Sequence, residues 1–375
     1  MLSTQNMGGV TATSKQLREM QAGDYILHAL DGKLRKVPVE KIRLPLDAQG
    51  HVQRLGLVLT PDSTIYASQH TIISKSTDGG KTWQHLQRDS SRFGSWLLQV
   101  NEEGRLLNIS QHVPDKPPTA WASDDDGETW EQMGKIDVAP LENVEAGWSM
   151  TRLGDGTLII PILNRAAQIS EGYGTVISGG NTTYVFRSQD GGRTFPYRSV
   201  LGDWCCEVNI AALPSSQLLA VIRYQRPLLP EDTTDILEQT GAAEFGSQFP
   251  YKHVFLADSA DAGVTWTNLR QLTTVFGQCH GSAVGLSDNR VVVVHDHRYP
   301  RELGSGRAMV SRDGGKTWAD EVYYLCHGKA AGFAQTITLD GEEMLTLVGS
   351  AYGNVDSWEN CIGKSHFVLI RWRLV

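Results

Sequence analysis

One eight-residue pattern occurs five times in the chain and constrains its fold more than any other feature of the sequence. It reads serine, any residue, aspartate, any residue, glycine, any residue, threonine and an aromatic residue. The copies run from Ser76 to Trp83, from Ser123 to Trp130, from Ser188 to Phe195, from Ser259 to Trp266 and from Ser311 to Trp318. Five matches at five fixed positions indicate a chain built from repeated structural units.

The residue types of the pattern are those of a tight turn between two strands. The aspartate accepts hydrogen bonds from nearby backbone amides, and the glycine adopts the positive φ that other residues avoid. The aromatic residue that follows can pack between neighbouring sheets. The copies begin 47, 65, 71 and 52 residues apart, and a four-stranded blade takes about 40–50 residues. Each copy therefore predicts one four-stranded unit, and the longer intervals predict loops.

The pattern resembles the Asp-box, or BNR repeat, of the sialidase superfamily, where it forms the turn between the third and fourth strands of a blade. The resemblance in architecture covers nearly the whole chain. It implies an all-β, six-bladed β-propeller with Asp-box repeats, in which the box aspartates are structural and not catalytic. We predict an N-terminal extension over residues 1–20, with a short helix from Ser14 to Met20, and a single propeller domain over residues 21–375.

The five boxes account for five blades, and the sixth is predicted between Gly332 and Val375. The segment from Ser365 to Leu374 has the residues of a strand, and no box follows it. We expect the last strand of this blade to come from the N-terminal segment around Tyr25 to Leu44, so that the two ends of the chain close the ring.

Composition and charge exclude several classes of partner. The 375 residues include 38 glycines, which is typical of short strands joined by tight turns. The formal net charge of −8 argues against nucleic acid, because phosphate binding needs a basic surface. No apolar run is long enough to span a bilayer, and residues 1–20 lack the apolar core of a signal peptide. Five cysteines without a zinc-site spacing suit a reduced compartment. We therefore expect a cytoplasmic protein that has no cofactor and no nucleic-acid or membrane partner.

The first hairpin of each blade locates the predicted site. The first strand lines the central channel and the second runs antiparallel to it, so the start of one and the end of the other meet at the same rim. Aligning the blades places Glu207 and His280 at the starts of first strands, and Arg223 and Asp296 at the ends of second strands. Further candidates for substrate binding at or near this rim are Gln69, His70, Gln111, His112, Trp148, Arg165 and Arg298. The boxes are expected at the opposite rim.

Each candidate also has a plainer interpretation. Glu207 or His280 alone can be a polar group satisfied within an inner strand. The amides of Gln69 and Gln111 can cap loops, and Arg165 can be a solvated surface residue.

Two further pairs of side chains, one of tryptophans and one of histidines, can be interpreted in two ways. Trp148 can stack on a sugar, but with Trp96 it fits packing between blades better. His295 and His297 lie on one strand face, at a spacing that can bind a metal. No third ligand is evident, so we predict hydrogen bonding there and no metal site.

The segment from Glu207 to Leu213, with Arg223 after it, resembles the sialidase segment that carries a glutamate and one of three carboxylate-binding arginines. Sialidases also use a tyrosine nucleophile, activated by this glutamate, and an aspartate as acid and base. Here Phe333 stands near the tyrosine position, and Arg54-Leu55-Gly56 replaces an Arg-Ile-Pro motif. The stretch from Gln69 to Ile73 has no aspartate. The resemblance thus implies a site that diverges from that of the sialidases.

These residues predict an enzyme that cleaves a glycosidic bond at a uronic or ulosonic acid. Arg223 would hold the carboxylate, and Glu207, His280 and Asp296 would transfer protons. Hydrolysis is the first alternative, since Glu207 and Asp296 provide two carboxylates. The second is a lyase reaction on a uronate with His280 as base. The third is a non-catalytic propeller that binds a glycan or a protein.

Two long segments are predicted to overhang the same rim. They run from Tyr224 to His253 and from Ala166 to Thr182. Insertions gathered on one rim favour a binding function there. The first of them fits a lid or an oligomer contact equally well, so the oligomeric state stays open.

Overall fold

The computed structural model describes residues 9–46, 55–69, 71–88, 99–110, 117–146, 149–165, 168–171, 174–177, 181–328, 334–351 and 365–375. These residues are almost entirely in β-strands and the turns between them. No helix among them is long and apolar enough to cross a membrane. The order of the strands confirms the predicted six-bladed β-propeller.

The chain begins with an N-terminal group of elements and then forms the blades in sequence. The N-terminal group is α1 (Ser14–Ala22), β1 (Tyr25–Leu30), β2 (Lys33–Pro38) and β3 (Glu40–Leu44). Blade one is β4 (Gly56–Leu59), β5 (Ile65–Gln69), β6 (Ile72–Ser76) and β7 (Gln84–Gln87). Blade two is β8 (Gln99–Val100), β9 (Leu106–Ser110), β10 (Thr119–Ser123) and β11 (Glu131–Lys135).

Blade three has a divided first strand and an added ribbon. It contains β12 (Val144–Ala146), β13 (Thr151–Arg152), β14 (Leu158–Asn164), the ribbon β15 (Gln168–Glu171) and β16 (Gly174–Ile177), then β17 (Thr182–Ser188) and β18 (Tyr197–Asp203). Blade four contains β19 (Cys205–Ala212), β20 (Leu218–Arg226), the short helix α2 (Ile236–Gln239), a 3₁₀ turn (Ala243–Phe245), β21 (Tyr251–Ser259) and β22 (Thr267–Gln271).

Blades five and six complete the ring. Blade five is β23 (Gly281–Gly285), β24 (Val291–His297), a 3₁₀ turn (Arg301–Leu303), β25 (Ser305–Ser311) and β26 (Glu321–His327). Blade six is β27 (Gln335–Thr338), β28 (Met344–Ala351) and β29 (Ser365–Trp372), with β3 as its fourth strand.

The innermost strands form a closed ring. Each contacts the innermost strand of the next blade, and β27 of blade six contacts β4 of blade one. They surround a cavity of about 240 Å³ that all six blades line. Within it the Asn209 side chain donates to Gln335 Oε1 at 3.3 Å, across the ring from blade four to blade six. The first strands therefore line the central channel, as the hairpin alignment predicts.

The core lies between the blades, because both faces of each sheet are covered. In β24 four valines follow one another, as expected of a strand that is buried on both faces. Val292 and Val294 pack with residues of blade six, and Val291 and Val293 pack with residues of blade four. This alternation gives consecutive side chains to opposite faces and holds blade five in the ring.

The N-terminal segment supplies blade six as predicted, but only through β3. Leu44 of β3 pairs with Phe367 of β29. The first strand of that segment, β1, instead joins blade five, where Leu27 pairs with Tyr324 of β26. Blade five thereby gains β1 and β2 as fifth and sixth strands. The reason is that β26 is buried throughout and needs a cover on its outer edge.

The predicted N-terminal helix is present as α1. Thr13 is its N-cap: the Thr13 hydroxyl accepts from the backbone amide of Gln16, while the Gln16 side chain accepts from the backbone amide of Thr13. Leu17 and Met20 are fully buried against a cluster of residues from β1 and β26. The division into an extension over residues 1–20 and a domain over residues 21–375 stays a prediction.

The repeated turn links the third and fourth strands of blades one to five. In blade one, Asp78 Oδ1 accepts from Ser76 Oγ at 2.8 Å and from Thr82 N at 2.9 Å, and Asp78 Oδ2 accepts from Thr82 Oγ1 at 2.6 Å. Gly80, with φ of +85°, donates its amide to Ser76 Oγ. The same three bonds to the carboxylate occur at Asp125, Asp190, Asp261 and Asp313. Each aspartate therefore stabilises its turn.

Replacing Asp313 with asparagine should lower the thermal unfolding midpoint at neutral pH, because Thr317 and Ser311 then lose a charged acceptor. The hydrogen bonds from Thr317 lower the pKa of Asp313 to about 2. A lowered pKa in the folded protein gives stability that is present above the unfolded pKa and lost as pH falls through about 2. The deficit of the variant should therefore shrink in strong acid, in thermal scans over a pH series. Glu231→Gln, at an exposed position, is the control; an equal deficit at every pH would contradict the explanation.

Candidate functional site

Blade four places Glu207 at a bulge next to Arg223. The pairing of β19 with β20 shifts between Cys206 and Asn209, and Glu207 in the bulge has φ of +42°, which is uncommon for a residue with a side chain. Its carboxylate forms an ion pair with Arg223 of β20. Arg223 also donates from Nε and Nη2 to Gln225 Oε1, at 3.1 and 2.6 Å. The bulge thus directs the carboxylate onto the guanidinium of the neighbouring strand.

Blade five repeats this arrangement with different residues. His280 directly precedes β23 and has φ of +46°, as Glu207 does in blade four. Its Nδ1 lies 3.2 Å from Asp296 Oδ2 on β24. Asp296 Oδ1 accepts from the Cys279 amide at 2.9 Å, and Asp296 Oδ2 accepts from Arg298 Nε at 2.6 Å. Two adjacent blades therefore bring ionisable side chains to the same rim with the same local backbone.

His280 joins the two blades. Its Nε2 contacts the carboxylate of Glu207, and Arg223 Nη1 lies 3.0 Å from the same nitrogen. We call Glu207, Arg223, His280, Asp296 and Arg298 the ionic cluster. In this cluster the imidazole lies between two carboxylates, and a guanidinium flanks it on each side. The structure thus brings all three predicted catalytic residues into one group with two of the three predicted arginines, Arg223 and Arg298.

The charges of the ionic cluster fix its protonation. Burial alone would lower the pKa of His280, but the carboxylate of Glu207 raises it to about 9. Burial opposes ionisation of Glu207, yet Arg223 and His280 hold its pKa well below the ordinary value. Arg298 does the same for Asp296, against the effect of burial. At neutral pH the ionic cluster therefore holds two negative and three positive charges.

Exposure divides the ionic cluster into an outer and an inner part. The side chains of Arg223 and Arg298 are each 18% exposed, and that of Glu207 is 11% exposed. Those of His280 and Asp296 are only 2% and 1% exposed. A ligand can thus touch Glu207 and the two guanidiniums, whereas Asp296 acts on it through His280 and Arg298.

The pKa of His280 predicts how stability depends on pH. A raised pKa in the folded protein gives stability that is fully present below the unfolded value of 6.5 and lost as pH rises through about 9. We expect the free energy of unfolding of the wild-type protein to fall over this interval, in denaturant titrations at a series of pH values. His280→Gln should remove most of that slope, and His85→Gln, at an exposed position, should keep it. An unchanged slope in His280→Gln would show that other groups cause it.

Two residues of the ionic cluster and the neighbouring Cys279 are potential metal ligands. Sγ of Cys279 and ligand atoms of His280 and Asp296 are within 4.8 Å of one another. Arg298 occupies the same place, however: its Nε donates to Asp296, and its Nη2 lies 2.6 Å from His280 Nδ1. A metal ion there would meet a guanidinium at short range. The contacts therefore fit ion pairing better than metal binding.

The neighbouring histidines of β24 form hydrogen bonds, in line with the prediction. Nδ1 of His295 donates to the carbonyl of Asp296 at 2.8 Å, and the amide of Gln278 donates to His297 Nδ1 at 3.1 Å. Burial lowers the pKa of His295 to about 4. Both rings are almost fully buried.

The other predicted binding residues have varied positions. Arg165 of blade three donates to Glu145 at 2.5 Å. Its charge also acts on the thiol of Cys206, which lies beside Glu207 in the chain. Gln69 is fully buried and donates to the carbonyl of Pro45 at 3.3 Å, and its described contacts do not reach the ionic cluster. His70, Gln111, His112 and Trp148 lie outside the described residues. The binding roles of all these residues stay predictions.

Sequence reasoning did not single out Gln225, Lys252 or Cys279. Gln225 follows Arg223 by two residues on the same strand face, so strand alternation alone could have found it. Lys252 lies opposite Gln225 in the pairing of β20 with β21. Burial lowers the pKa of Lys252 to about 8, and its charge acts on Arg223 and Arg298. No sequence signal points to Lys252, because its register depends on how the insertion before it folds.

Comparison with known proteins identifies the fold. Neither a protein-family model nor a curated protein sequence matches the chain. A Dyadobacter fermentans protein of unknown function aligns with a TM-score of 0.60 and 16% identity, covering 91% of this chain and 99% of that one. The GH93 α-L-arabinofuranosidase of Fusarium graminearum, in complex with arabinobiose, aligns with a TM-score of 0.57 and 16% identity, over 89% and 98%. The Hadza microbial sialidase Hz136 aligns with a TM-score of 0.56 and 14% identity, over 92% and 70%.

The chain is thus similar in structure to propellers that include glycosidases. At these identities the similarity establishes the fold and not the activity. The activity has to be argued from the ionic cluster.

Proposed function

We propose that the chain is a glycosidase-like enzyme that cleaves a glycosidic bond at a sugar bearing a carboxylate. The observation that carries this proposal is the charge of the ionic cluster. It has one more positive than negative charge, and its two guanidiniums are the most exposed groups. A carboxylate that pairs with Arg223 and Arg298 would balance the cluster with charge-assisted hydrogen bonds. The arabinobiose complex and the sialidase with the same fold support a carbohydrate ligand by analogy.

Glu207 is the group that we expect to transfer a proton to the substrate. In the free protein Arg223 and His280 hold its pKa low. A substrate carboxylate that draws Arg223 away would raise that pKa, so Glu207 could take the proton from His280 and give it to the glycosidic oxygen. Asp296 would keep the imidazole oriented and stabilise its charge, as a positioning residue. Water then adds to the anomeric carbon and gives its proton to the carboxylate of Glu207, which returns it to His280.

Elimination is the second candidate, and the two arginines favour it. Removing the proton next to a uronate carboxylate places negative charge on that carboxylate. Arg223 and Arg298 would stabilise this charge in the transition state. The base would be a nitrogen that is neutral near the working pH. Lys252, with its pKa lowered to about 8 by burial, comes closer to that condition than His280, whose pKa the carboxylate of Glu207 raises to about 9.

The test is an incubation of the protein with a panel of uronate- and ulosonate-containing glycans. New reducing ends without the ultraviolet absorbance of an unsaturated uronate would establish a hydrolase. Both signals together would establish a lyase. Methyl esters of the same uronates are the matched control, and they should react far more slowly because they carry no charge for Arg223. Equal rates on acid and ester would overturn the proposal that the enzyme recognises a carboxylate. No product from any glycan of the panel would overturn the enzyme proposal and favour a propeller that only binds its ligand.

A further inference from the structure

A second cavity lies beside blade five, outside the ionic cluster. It has a volume of about 510 Å³, and the insertion of blade four forms one wall through α2 and the 3₁₀ turn Ala243–Phe245. We call it the side cavity and define it by Phe245, Phe276, His297, Tyr299 and Arg307. None of the five residues of the ionic cluster is among its lining residues. Its volume falls in the range of small-molecule sites.

Arg307 is a buried cation without a described anionic partner. It is 5% exposed and lies on β25. Its Nε donates to Ser305 Oγ at 3.0 Å, and its guanidinium carbon lies 4.8 Å from the ring centre of Tyr324. Its Nη2 is buried and has no hydrogen-bond acceptor among the described residues. Burial without a carboxylate lowers the pKa of Arg307. A buried charge in this state is costly unless a ligand of opposite sign compensates it.

Arg307 is also the only arginine or lysine that lines the side cavity within the described part of the chain. His297, the other basic residue there, is held neutral because burial keeps its pKa well below the ordinary value. Glu238 and Glu244 lie at the exposed side of the cavity and form no described ion pair with Arg307. Arg307 is therefore the buried positive charge among the described lining residues, while Lys252 Nζ lies 5.5 Å from the ring centre of Tyr299 without lining the cavity itself.

Aromatic rings form a second part of the lining. The rings of Phe245 and Tyr299 have centroids 4.8 Å apart, and both lie about 6 Å from the ring of Phe276. Two of these rings come from the rim of blades four and five, and Phe245 comes from the insertion. Aromatic surfaces of this kind bind the flat face of a sugar or an aromatic ring.

We propose that the side cavity binds a small ring-shaped carboxylate, whose charged group pairs with Arg307 and whose ring lies along Phe245 and Tyr299. A sugar acid and an aromatic acid share this chemistry. The insertion of blade four is then part of a binding site.

The test measures binding of galacturonate and of benzoate by calorimetry, with galactose and benzyl alcohol as neutral counterparts. Arg307→Met should weaken binding of the acid about tenfold to hundredfold, as expected for loss of one charge-assisted contact. Phe245→Ala should weaken it as well, without disturbing a blade. Arg373→Met, at an exposed position, is the matched control and should bind as the wild-type protein does. Binding of galacturonate alone would identify the ligand as a sugar acid, and binding of benzoate alone would identify it as an aromatic acid.

Several outcomes would overturn the proposal. They are no saturable binding of either acid, equal binding of the neutral counterparts, and unchanged affinity in both Arg307→Met and Phe245→Ala. Should Arg307→Met fail to fold, Phe245→Ala decides alone. Turnover of acidic glycans should be the same in Arg307→Met as in the wild-type protein, so this site and the proposed activity can fail independently.

Discussion

Replacing Glu207 with glutamine is expected to lower kcat on an acidic glycan by about 10²–10⁴-fold, the usual contribution of a general acid or base. Glutamine keeps the shape of the side chain and its contact with Arg223, but it cannot accept the proton from His280 or pass it to the substrate. KM should change much less, because Arg223 and Arg298 still carry the positive charge that holds the carboxylate. Initial rates over a range of substrate concentrations separate the two effects.

The same variant allows a second measurement, the pKa of His280, which should not change if Glu207 had only a structural role. Glu207 raises the pKa of His280 to about 9, and its loss should bring that pKa down. A pH titration of the His280 ring by nuclear magnetic resonance measures this directly. Glu128→Gln, exposed at the opposite rim, should leave both the rate and the titration unchanged. Full activity in Glu207→Gln would remove Glu207 from the mechanism.

Replacing Asp296 with alanine should lower the free energy of unfolding by about 3–5 kcal/mol, as expected when one partner of a buried ion pair is removed. Asp296 accepts from the Cys279 amide and from Arg298, and it faces His280. Without it, Arg298 and His280 each lose a carboxylate partner, and the Cys279 amide loses its acceptor. Denaturant unfolding at neutral pH gives the magnitude.

The control for this prediction is Asp288→Ala. Asp288 also pairs with an arginine, Arg290, but its side chain is 51% exposed in a turn at the other rim. An exposed pair of this kind contributes at most about 1 kcal/mol. A small loss in Asp296→Ala, similar to that of the control, would mean that water reaches the ionic cluster and screens its charges.

The periodic part of the fold was predictable, because the repeat is local. Ser76 to Trp83 and its four copies carry their own hydrogen bonds, so each box identifies a turn without knowledge of the rest of the chain. Aligning the first hairpins of the blades also places Glu207 and His280 at equivalent points of two blades. Their closeness follows from blade geometry, and the structure bears out the rim on which they lie.

Contacts between elements were less predictable, because no sequence pattern shows which strand edge of one blade a strand from elsewhere in the chain will pair with. The strands β1 and β2 were foreseeable as strands, but their partner is decided by the buried outer edge of β26. Arg298 was foreseen as a ligand-binding residue, yet it also holds Asp296, since a side chain just beyond a strand end is not oriented by alternation. The position of Lys252 opposite Gln225 could not be predicted, because a long insertion separates Lys252 from β20 in the sequence.

The pairing of β3 with β29 links residues near the start of the chain to the last strand. During synthesis β3 has no partner until residues 365–372 have emerged, so the ring can close only after β29 has left the ribosome. This delay couples folding of blade six to the synthesis of β29, and a non-local contact of this length slows folding. Until then β3 is an unpaired edge, and its charged residues Glu40, Lys41 and Arg43 disfavour pairing with other chains.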